Sequence, residues 1–576
     1  MNCYDMIYSN EYFDLIVRSN EYLPSFDSDI CGLDAGNNFT VLFAPAAKYG
    51  PLSVSNFNYN TLPNCYEPLS MEALDSAGIL QVRETPSLNL DGEGVLIGFL
   101  DSGIDTMHPA FLDEAGRSRV VAVWDQNQRI SENAGTPAVS SADVPQVYYG
   151  QVYSGDTIPL YGNRDATGHG TYVASVAAGS DRGTHSGAAP RADIAMVQLK
   201  QVKQHLRDYY FIPDDAICYG ESDLIFGLQF LNELARMRNQ SLVICISVGS
   251  ALSSHSGNNA LAYYLNSLAV VYRRCVVTAT GNEAASRHHF YGSLVLRQDD
   301  NFLLDGTADR TQDYVEVEIV VENNVCGFIM EQWAVAPAQY EVAVISPSGE
   351  MHPRVGIQTT GGQVYEYTLD GTLLELDYSY PEATTGNQLV YYRFTTPAPG
   401  VWRVRVFSRN RQQGNFHMFL PSYGLMCGRV YFLASNPDST IMNPGNAGYV
   451  LTFAGYNQRQ NAILLESGRG YTIDGRIKPD LAAPAYLVEG ASAGRGTSLE
   501  ELQYVMRTGT SAAVAIGAGA AAMYLQWCDE RGDFSVSTTQ VKIFMIRGAR
   551  QFAGDLYPNR QWGYGALDLY ESFRRL

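Results

Sequence analysis

A series of short, wholly apolar runs, each closed by a polar residue, narrows the possible folds more than any other pattern in the chain. GVLIGFLD ends at Asp101, SLVICIS at Ser247 and CVVTATGN at Asn282. Continuous apolar runs are typical of strands buried on both faces of a parallel sheet. Stretches with a helical period separate the later runs. This alternation predicts an α/β fold with a doubly wound parallel sheet. In such sheets, catalytic and ligand-binding residues lie at the carboxyl ends of the strands.

The chain length and a change of pattern predict a multidomain protein. At 576 residues, the chain exceeds what one hydrophobic core usually organises. Residues 1–70 are acidic and predict a small α+β unit. Residues 295–436 consist of short alternating strands divided by Pro, Gly and Asn turns, which is typical of an all-β sandwich or jelly roll. Because the α/β pattern of residues 71–294 resumes at 437–576, we expect this β domain to be an insert.

Charge and composition exclude several classes of partner. With 39 basic and 60 acidic residues the net charge is −21, which argues against binding to nucleic acid or to an anionic membrane. No basic region followed by an apolar stretch opens the chain, so we expect no Sec-type signal peptide. The apolar run after Ser511 is too short and too rich in Gly and Ala for a bilayer span, and predicts a buried helix.

The cysteines predict neither a metal site nor a redox site. Nine of them are scattered singly, and no C-x-x-C pair occurs. This pattern fits a soluble protein in a reducing compartment.

Three Gly-rich motifs carry the groups that acyl transfer by serine requires. Asp101 lies in LDSGIDTMHPAF, His169 in DATGHGTYVASVAAG and Ser511 in RTGTSAAVAIGAGAAAMY. Taken singly, each has an ordinary structural explanation: a strand-end turn, a core histidine and a helix N-cap. A nucleophile, a base and an anion to hold the base are the components of a catalytic triad. The order Asp, His, Ser separates this chain from the chymotrypsin and α/β-hydrolase arrangements.

DSGID, GHGTYVA and GTSAA resemble the three signature blocks of the subtilase family. The resemblance implies a subtilisin-like serine endopeptidase with Asp101, His169 and Ser511 as its triad and Asn282 in the oxyanion hole. SVGS resembles the strand that pairs with the substrate backbone, and TATGN resembles the segment beside the scissile bond. The substrate-binding residues implied by these two segments are Ser247, Val248, Gly249, Ser250, Ala279, Thr280 and Gly281.

More narrowly, the chain resembles the clostridial Csp germination-protease branch of that family. This branch implies a bacterial protein, cytoplasmic or spore-associated, that processes a protein or peptide substrate. Residues 1–70 then become a prodomain that binds the enzyme's own cleft, with self-cleavage expected between Asn64 and Ser70. Tyr172, Ser175, Ala512 and Ala515 depart from the usual family motifs.

Two alternatives stay open at this stage. Because the Csp branch includes pseudoproteases, a catalytically silent scaffold or receptor competes with the enzyme, although the complete triad favours catalysis. The inserted β domain either binds carbohydrate or protein, or braces the catalytic domain. We expect no cofactor and no metal, since the loop after the His motif, AAGSDRGTHSGAAP, has few carboxylates for the six or more oxygen ligands of Ca²⁺.

Overall fold

The structure is a computed structural model, and it describes residues 3–18, 29–53, 56–57, 59–63, 65–68, 73–129, 143–182, 185–296, 302–304, 314–356, 362–408, 414–494 and 504–576. The α-helices, in chain order, are α1 (Cys3–Tyr8), α2 (Ala46–Tyr49), α3 (Ile79–Glu84), α4 (Ile158–Tyr161), α5 (His169–Ala178), α6 (Gln204–Tyr210), α7 (Glu221–Met237), α8 (Ala260–Ala269), α9 (Thr510–Glu530), α10 (Thr538–Gly548) and α11 (Leu569–Arg574).

The first twelve strands are β1 (Tyr12–Arg18), β2 (Cys31–Gly36), β3 (Phe39–Pro45), β4 (Cys65–Pro68), β5 (Leu96–Asp101), β6 (Val120–Asp125), β7 (Gln151–Ser154), β8 (Asp193–Gln198), β9 (Tyr219–Gly220), β10 (Leu242–Ile246), β11 (Val248–Gly249) and β12 (Arg274–Ala279). The next eleven are β13 (His289–Leu296), β14 (Phe302–Leu304), β15 (Tyr314–Val321), β16 (Gly327–Ala334), β17 (Tyr340–Ile345), β18 (Gln363–Tyr367), β19 (Thr372–Ser379), β20 (Gln388–Thr395), β21 (Gly400–Ser408), β22 (Gly414–Phe419) and β23 (Val430–Phe432). The last five are β24 (Leu451–Asn457), β25 (Ala462–Ile463), β26 (Leu481–Pro484), β27 (Val488–Ala491) and β28 (Tyr504–Arg507).

A nine-stranded sheet forms the centre of the described part of the chain, in the order β25-β24-β12-β10-β5-β8-β6-β7, with β26 beside β24. Seven of these described strands run parallel, and β7 and β25 are antiparallel to their neighbours. In chain order, β6 and β8 are added on one side of β5, and β10 and β12 are then added on its other side. The strand order therefore reverses between β5 and β10, where α/β sheets open a crevice for ligands.

Side chains alternate between the two faces of this sheet, and each face has its own helices. In β5, Ile97 and Phe99 pack into a cluster with α5, α9 and α10, whereas Leu96 and Leu100 pack with α7 and α8. Small residues allow the closest approach: a Cβ added at Gly519 of α9 would lie 2.3 Å from the Cβ of Ala188. The continuous apolar runs are therefore strands covered on both faces, as predicted.

Helix α9 is the buried helix that the Gly- and Ala-rich run predicts. Among the described residues it is the one helix long and apolar enough to cross a membrane by length and composition, yet 94% of its apolar window is buried inside the protein. The core helix of a globular protein passes the same test, and α9 packs between α5 and the central sheet.

The N-terminal residues form a unit with helices and a three-stranded antiparallel sheet in the order β1-β3-β2. Both faces of this sheet are buried. Ile16 and Val41 join the apolar cluster of α7 and α8, while Phe13 and Leu15 join a cluster that includes Trp333. The N-terminal unit thus packs between the central α/β layer and the strands of the inserted region, to which Trp333 belongs.

The inserted region forms two antiparallel sheets, of seven strands (β14-β13-β22-β16-β20-β19-β18) and four strands (β17-β21-β15-β23). Their facing side chains make one apolar core, in which the rings of Phe394 and Trp402 lie 5.2 Å apart. The predicted domain boundary at residue 294 falls inside β13, which pairs with β14 and β22. The β unit therefore begins at His289 or earlier, because β13 bonds to strands of the insert.

The cysteines differ from the reducing pattern expected from their spacing. The structure joins Cys3 to Cys31, with Cα atoms 5.5 Å apart, and Cys326 to Cys427, with Cα atoms 5.7 Å apart. The second pair is separated by 101 positions. Only the folded sheets bring such distant cysteines together, so no sequence motif marks them.

Candidate active site

Asp101, His169 and Ser511 meet at the crevice beside β5. Asp101 is the last residue of β5, His169 the first of α5 and Ser511 the second of α9. Nδ1 of His169 lies 2.7 and 2.9 Å from the two carboxylate oxygens of Asp101, and its Nε2 lies 3.2 Å from Oγ of Ser511. A carboxylate can only accept hydrogen bonds, so Nδ1 carries the proton and Nε2 accepts from the Ser511 hydroxyl.

The start of α5 is set by a residue that the sequence did not single out. Asp165 accepts hydrogen bonds from the backbone N–H groups of Gly168 and Thr171, at 2.9 and 2.8 Å, and so satisfies donors left free in the first turn. Its Oδ1 also accepts from the hydroxyl of Ser102 at 2.7 Å. Because Ser102 follows Asp101, this network joins the Asp motif to the His motif.

The charge of Asp101 is sustained although the residue is fully buried. Burial alone would raise its pKa, but the neighbouring His169 and hydrogen bonds from Ser247 and Ser102 hold the pKa below the usual value of 3.8. Oγ of Ser247 donates to Oδ2 of Asp101 at 2.5 Å, and the backbone N–H of Ser102 donates to Oδ1 at 2.7 Å. The site therefore holds an ionised carboxylate behind the imidazole.

Asn282 stands beside the N-terminus of α9. Its side-chain Oδ1 accepts from the backbone N–H of Thr510 at 3.1 Å, which leaves the amide N–H groups as what it can offer to a ligand. Ser511 lies in the first turn of the same helix, where backbone N–H groups have no intrahelical acceptor. An amide and a helix N-terminus at one place are suited to an anion.

Three short strands form a separate antiparallel sheet next to the triad. β4 pairs with β11, setting Glu67 opposite Gly249 and Pro68 opposite Val248. On its other side, β4 pairs with β9, where Cys65 lies opposite Gly220. The predicted substrate strand, Val248–Gly249, is thus occupied by residues of the chain's own N-terminal region. Sequence reasoning missed β9, a two-residue strand without an alternating pattern.

Several predicted substrate-binding residues are already bonded within the protein. Ser250 and Asn443 exchange two backbone hydrogen bonds of 2.9 Å. The N–H of Thr280 donates to the carbonyl of Phe453, and its carbonyl accepts from the N–H of Met442. Ala279 ends β12, and Gly281 follows with φ of +82°. The backbone hydrogen bonds of Ser250 and Thr280 therefore hold the walls of the cleft to the segments that lie behind them.

The departures from the family motifs have partners elsewhere in the fold. A Cβ added at Gly490 would lie 2.1 Å from the ring of Tyr172, whose hydroxyl donates to the Val488 carbonyl at 3.3 Å. Oγ of Ser175 accepts from the N–H of Ala491 at 2.7 Å. Both side chains hold the β27–β28 hairpin against α5. Two further departures, Ala512 and Ala515, are fully buried in α9.

The comparisons with known proteins agree with this fold. Residues 92–301 and 413–565 match the model described as the subtilase family, and together they make up more than half of the chain. The protein therefore belongs to the subtilase family of serine endopeptidases. The unmatched residues between the two ranges fall within the inserted β unit.

Two similar proteins illustrate the range of the resemblance. The structure of the CspB protease of Clostridium perfringens is 25% identical, with a TM-score of 0.71 over 88% of this chain and 98% of that chain. This similarity confirms the predicted resemblance to the Csp branch. The subtilisin-like protease SBT2.2 of Arabidopsis thaliana is 31% identical over 125 residues, which cover 18% of this chain and 14% of that protein. The chain thus matches only a small part of the length of that curated relative.

Proposed function

We propose that the protein is a serine endopeptidase that cleaves its own chain and then processes a protein substrate. The observation that carries this proposal is the contact series from Asp101 through His169 to Ser511. A buried carboxylate, an imidazole with its proton on Nδ1 and a serine hydroxyl facing Nε2 form the arrangement that activates serine for acyl transfer. A catalytically silent scaffold would not need this series of hydrogen bonds from Ser511 through His169 to Asp101.

Each residue then has a defined part in the reaction. Ser511 attacks the scissile carbonyl while His169 takes its proton on Nε2 and later gives it to the leaving amine. Asp101 holds the imidazole in one tautomer and stabilises its cation. The Asn282 amide and the backbone N–H of Ser511 stabilise the oxyanion, because both donors are in place before the charge develops.

Support for self-cleavage comes from β4. Its antiparallel register places Glu67 at Gly249 and Pro68 at Val248, so the chain advances along the substrate strand towards Ser247. Ser247 touches Asp101, and the strand thus points at the triad. We propose that residues 1–70 act as a prodomain and that the cut follows Pro68 closely. Asn64, Leu69 and Ser70, which belong to the expected cleavage interval, lie outside the described residues.

The intact mass of purified protein tests this proposal directly. Wild-type chain is expected to lose a fragment of roughly the predicted 70-residue prodomain, and Ser511→Ala, which lowers kcat about 10⁶-fold, is expected to stay full length. Asn282→Ala is expected to process about 10²–10³-fold more slowly, because one oxyanion donor is lost. A fluorophosphonate probe should label wild type but not Ser511→Ala. Folded wild type that is neither cut nor labelled would make the protein a silent scaffold.

A further inference from the structure

The side chain of Met442 lies between the two segments that flank the triad. A Cβ added at Gly281 would lie 2.1 Å from its Sδ and 2.5 Å from its Cγ, and one added at Gly249 would lie 3.2 Å from its Cβ. Met442 is 1% exposed. Its side chain therefore spans the gap from β11 to the segment before Asn282.

The backbone around Met442 is fixed to both of these segments. Its N–H donates to the carbonyl of Thr280 at 2.9 Å, and the next residue, Asn443, exchanges two backbone hydrogen bonds of 2.9 Å with Ser250. Rotation about side-chain bonds is thus the main freedom left to Met442. Interiors are close-packed, so a bulky group entering this gap must displace the thioether.

A substrate that pairs with β11 as β4 does, with its scissile carbonyl between Ser511 and Asn282, would direct the side chain on the acyl side of the cut bond towards the same gap. The segments 247–250 and 279–281 would then flank that side chain. Gly249 and Gly281 have no side chains to fill the space between those segments, and Met442 supplies the only atoms within 3 Å of a Cβ placed at Gly281 among the described residues.

We propose that Met442 closes the primary specificity pocket and restricts cleavage to bonds that follow small residues such as Ala, Ser or Gly. The inference rests on the proposed endopeptidase function and names its substrate class. A hydrophobic pocket discriminates by about 10–200-fold for one methylene group, so a phenylalanine at this position is expected to slow cleavage at least tenfold.

Self-cleavage offers a test that needs no external substrate. Two segments are built into the full-length chain, one all-alanine (Leu69→Ala, Ser70→Ala, Met71→Ala) and one all-phenylalanine (Leu69→Phe, Ser70→Phe, Met71→Phe). Processing is followed by intact mass. In the wild-type background the alanine segment is expected to be cut at least tenfold faster. In Met442→Gly the phenylalanine segment is expected to gain at least tenfold, with Met442→Ala as the second variant if the glycine variant does not fold.

Met418→Ala is the matched control, because Met418 is a buried methionine in the core of the β unit. It should leave the preference for alanine unchanged. Equal processing of the two segments in wild type, or no gain for phenylalanine in either Met442 variant, overturns the inference.

Diisopropyl fluorophosphate tests whether Ser511 is reactive without placing an amino-acid side chain in the specificity pocket. Its labelling of Ser511 therefore separates the proposed endopeptidase function from the proposed role of Met442. If Ser511 is labelled but the native and alanine segments stay uncut, self-cleavage fails. The preference is then read on succinyl-Ala-Ala-Pro-Ala and succinyl-Ala-Ala-Pro-Phe p-nitroanilides, where equal rates overturn the inference. If folded protein is not labelled, the proposed function and this inference fail together.

Discussion

Ser247 shows how one residue serves the site in two ways. Its position before β11 placed it among the predicted substrate-binding residues. In the structure its hydroxyl also donates to Oδ2 of Asp101 at 2.5 Å, on the carboxylate that faces His169. A donor to a buried anion stabilises the charge and fixes the plane of the carboxylate. We therefore expect Ser247 to position Asp101 in the proposed triad, a role that its sequence motif did not reveal.

Ser247→Ala tests this role through the kinetic constants at neutral pH. The Ser247 hydroxyl is one of the groups that hold the pKa of Asp101 below its usual value, so the variant keeps the three residues of the proposed triad but loses one donor to the carboxylate. A carboxylate held less firmly against Nδ1 of His169 should lower kcat about tenfold and leave KM nearly unchanged.

Ser250→Ala is the matched control for this measurement. Its hydroxyl lies on the same segment but donates to the carbonyl of Leu252, at 3.4 Å, and not to Asp101. An equal loss of kcat in both variants would assign the effect to the shape of the segment rather than to the bond with Asp101.

At the scale of elements, the β27–β28 hairpin explains two residues that set this chain apart from the usual family motif. Tyr172 lies under Gly490, and Ser175 accepts from the N–H of Ala491. Each of the two hydrogen bonds to the hairpin joins residues 316 positions apart. The hairpin directly precedes α9 and Ser511 in the chain. The same contacts therefore hold this hairpin to α5, which carries His169.

Gly490→Ala should loosen this contact. The added Cβ would lie 2.1 Å from the Tyr172 ring, and overpacking of this kind costs about 1–3 kcal/mol of unfolding free energy. Gly448→Ala is the control, since its nearest atom would be 3.5 Å away. Urea unfolding of both variants checks the difference. A loss no larger at residue 490 than at residue 448 would show that the hairpin moves freely off α5.

At the scale of the whole molecule, a buried cluster of charges joins the N-terminal unit to the catalytic layer. Asp14 of β1 forms an ion pair with Lys203, and Lys200 pairs with Asp223 at 2.8 Å. Nζ of Lys203 also donates to the carbonyls of Met6 and Tyr12. Burial lowers the pKa of Lys203, and Asp14 opposes that shift. The N-terminal unit therefore supplies the counter-charge for a buried lysine of its neighbour.

Asp14→Ala should weaken this junction strongly. Removing one member of a buried pair leaves the other charge uncompensated, which costs about 3–5 kcal/mol. Asp29→Ala is the control, because its pair with Lys48 is exposed and is worth less than about 1 kcal/mol. Urea unfolding gives the free energies, and gel filtration of processed protein shows whether residues 1–70 stay bound. Similar losses of unfolding free energy in both variants would show that apolar contacts, rather than the buried ion pair, stabilise the junction.

The sequence by itself determined the class of fold and predicted the three residues of the proposed triad. Both depend on local patterns: apolar runs define buried strands, and the Gly-rich motifs at Asp101, His169 and Ser511 lie where elements begin or end. The order of the motifs and the helical period between them place these three residues on one edge of one sheet. The strands β13 to β23 were also predictable, because a period of two replaces the helical period in that part of the chain.

Only the tertiary structure decided how the cleft is filled and what surrounds the triad. The contacts of Met442 with Gly249 and Gly281, of Ser247 with Asp101 and of Tyr172 with Gly490 join residues far apart in the chain. No local periodicity records which distant side chain fills a gap, because packing depends on the path of the backbone through every intervening element. The same reason hid the pairing of β13 with β22 and the two cystines, whose cysteines lie 28 and 101 positions apart in the chain.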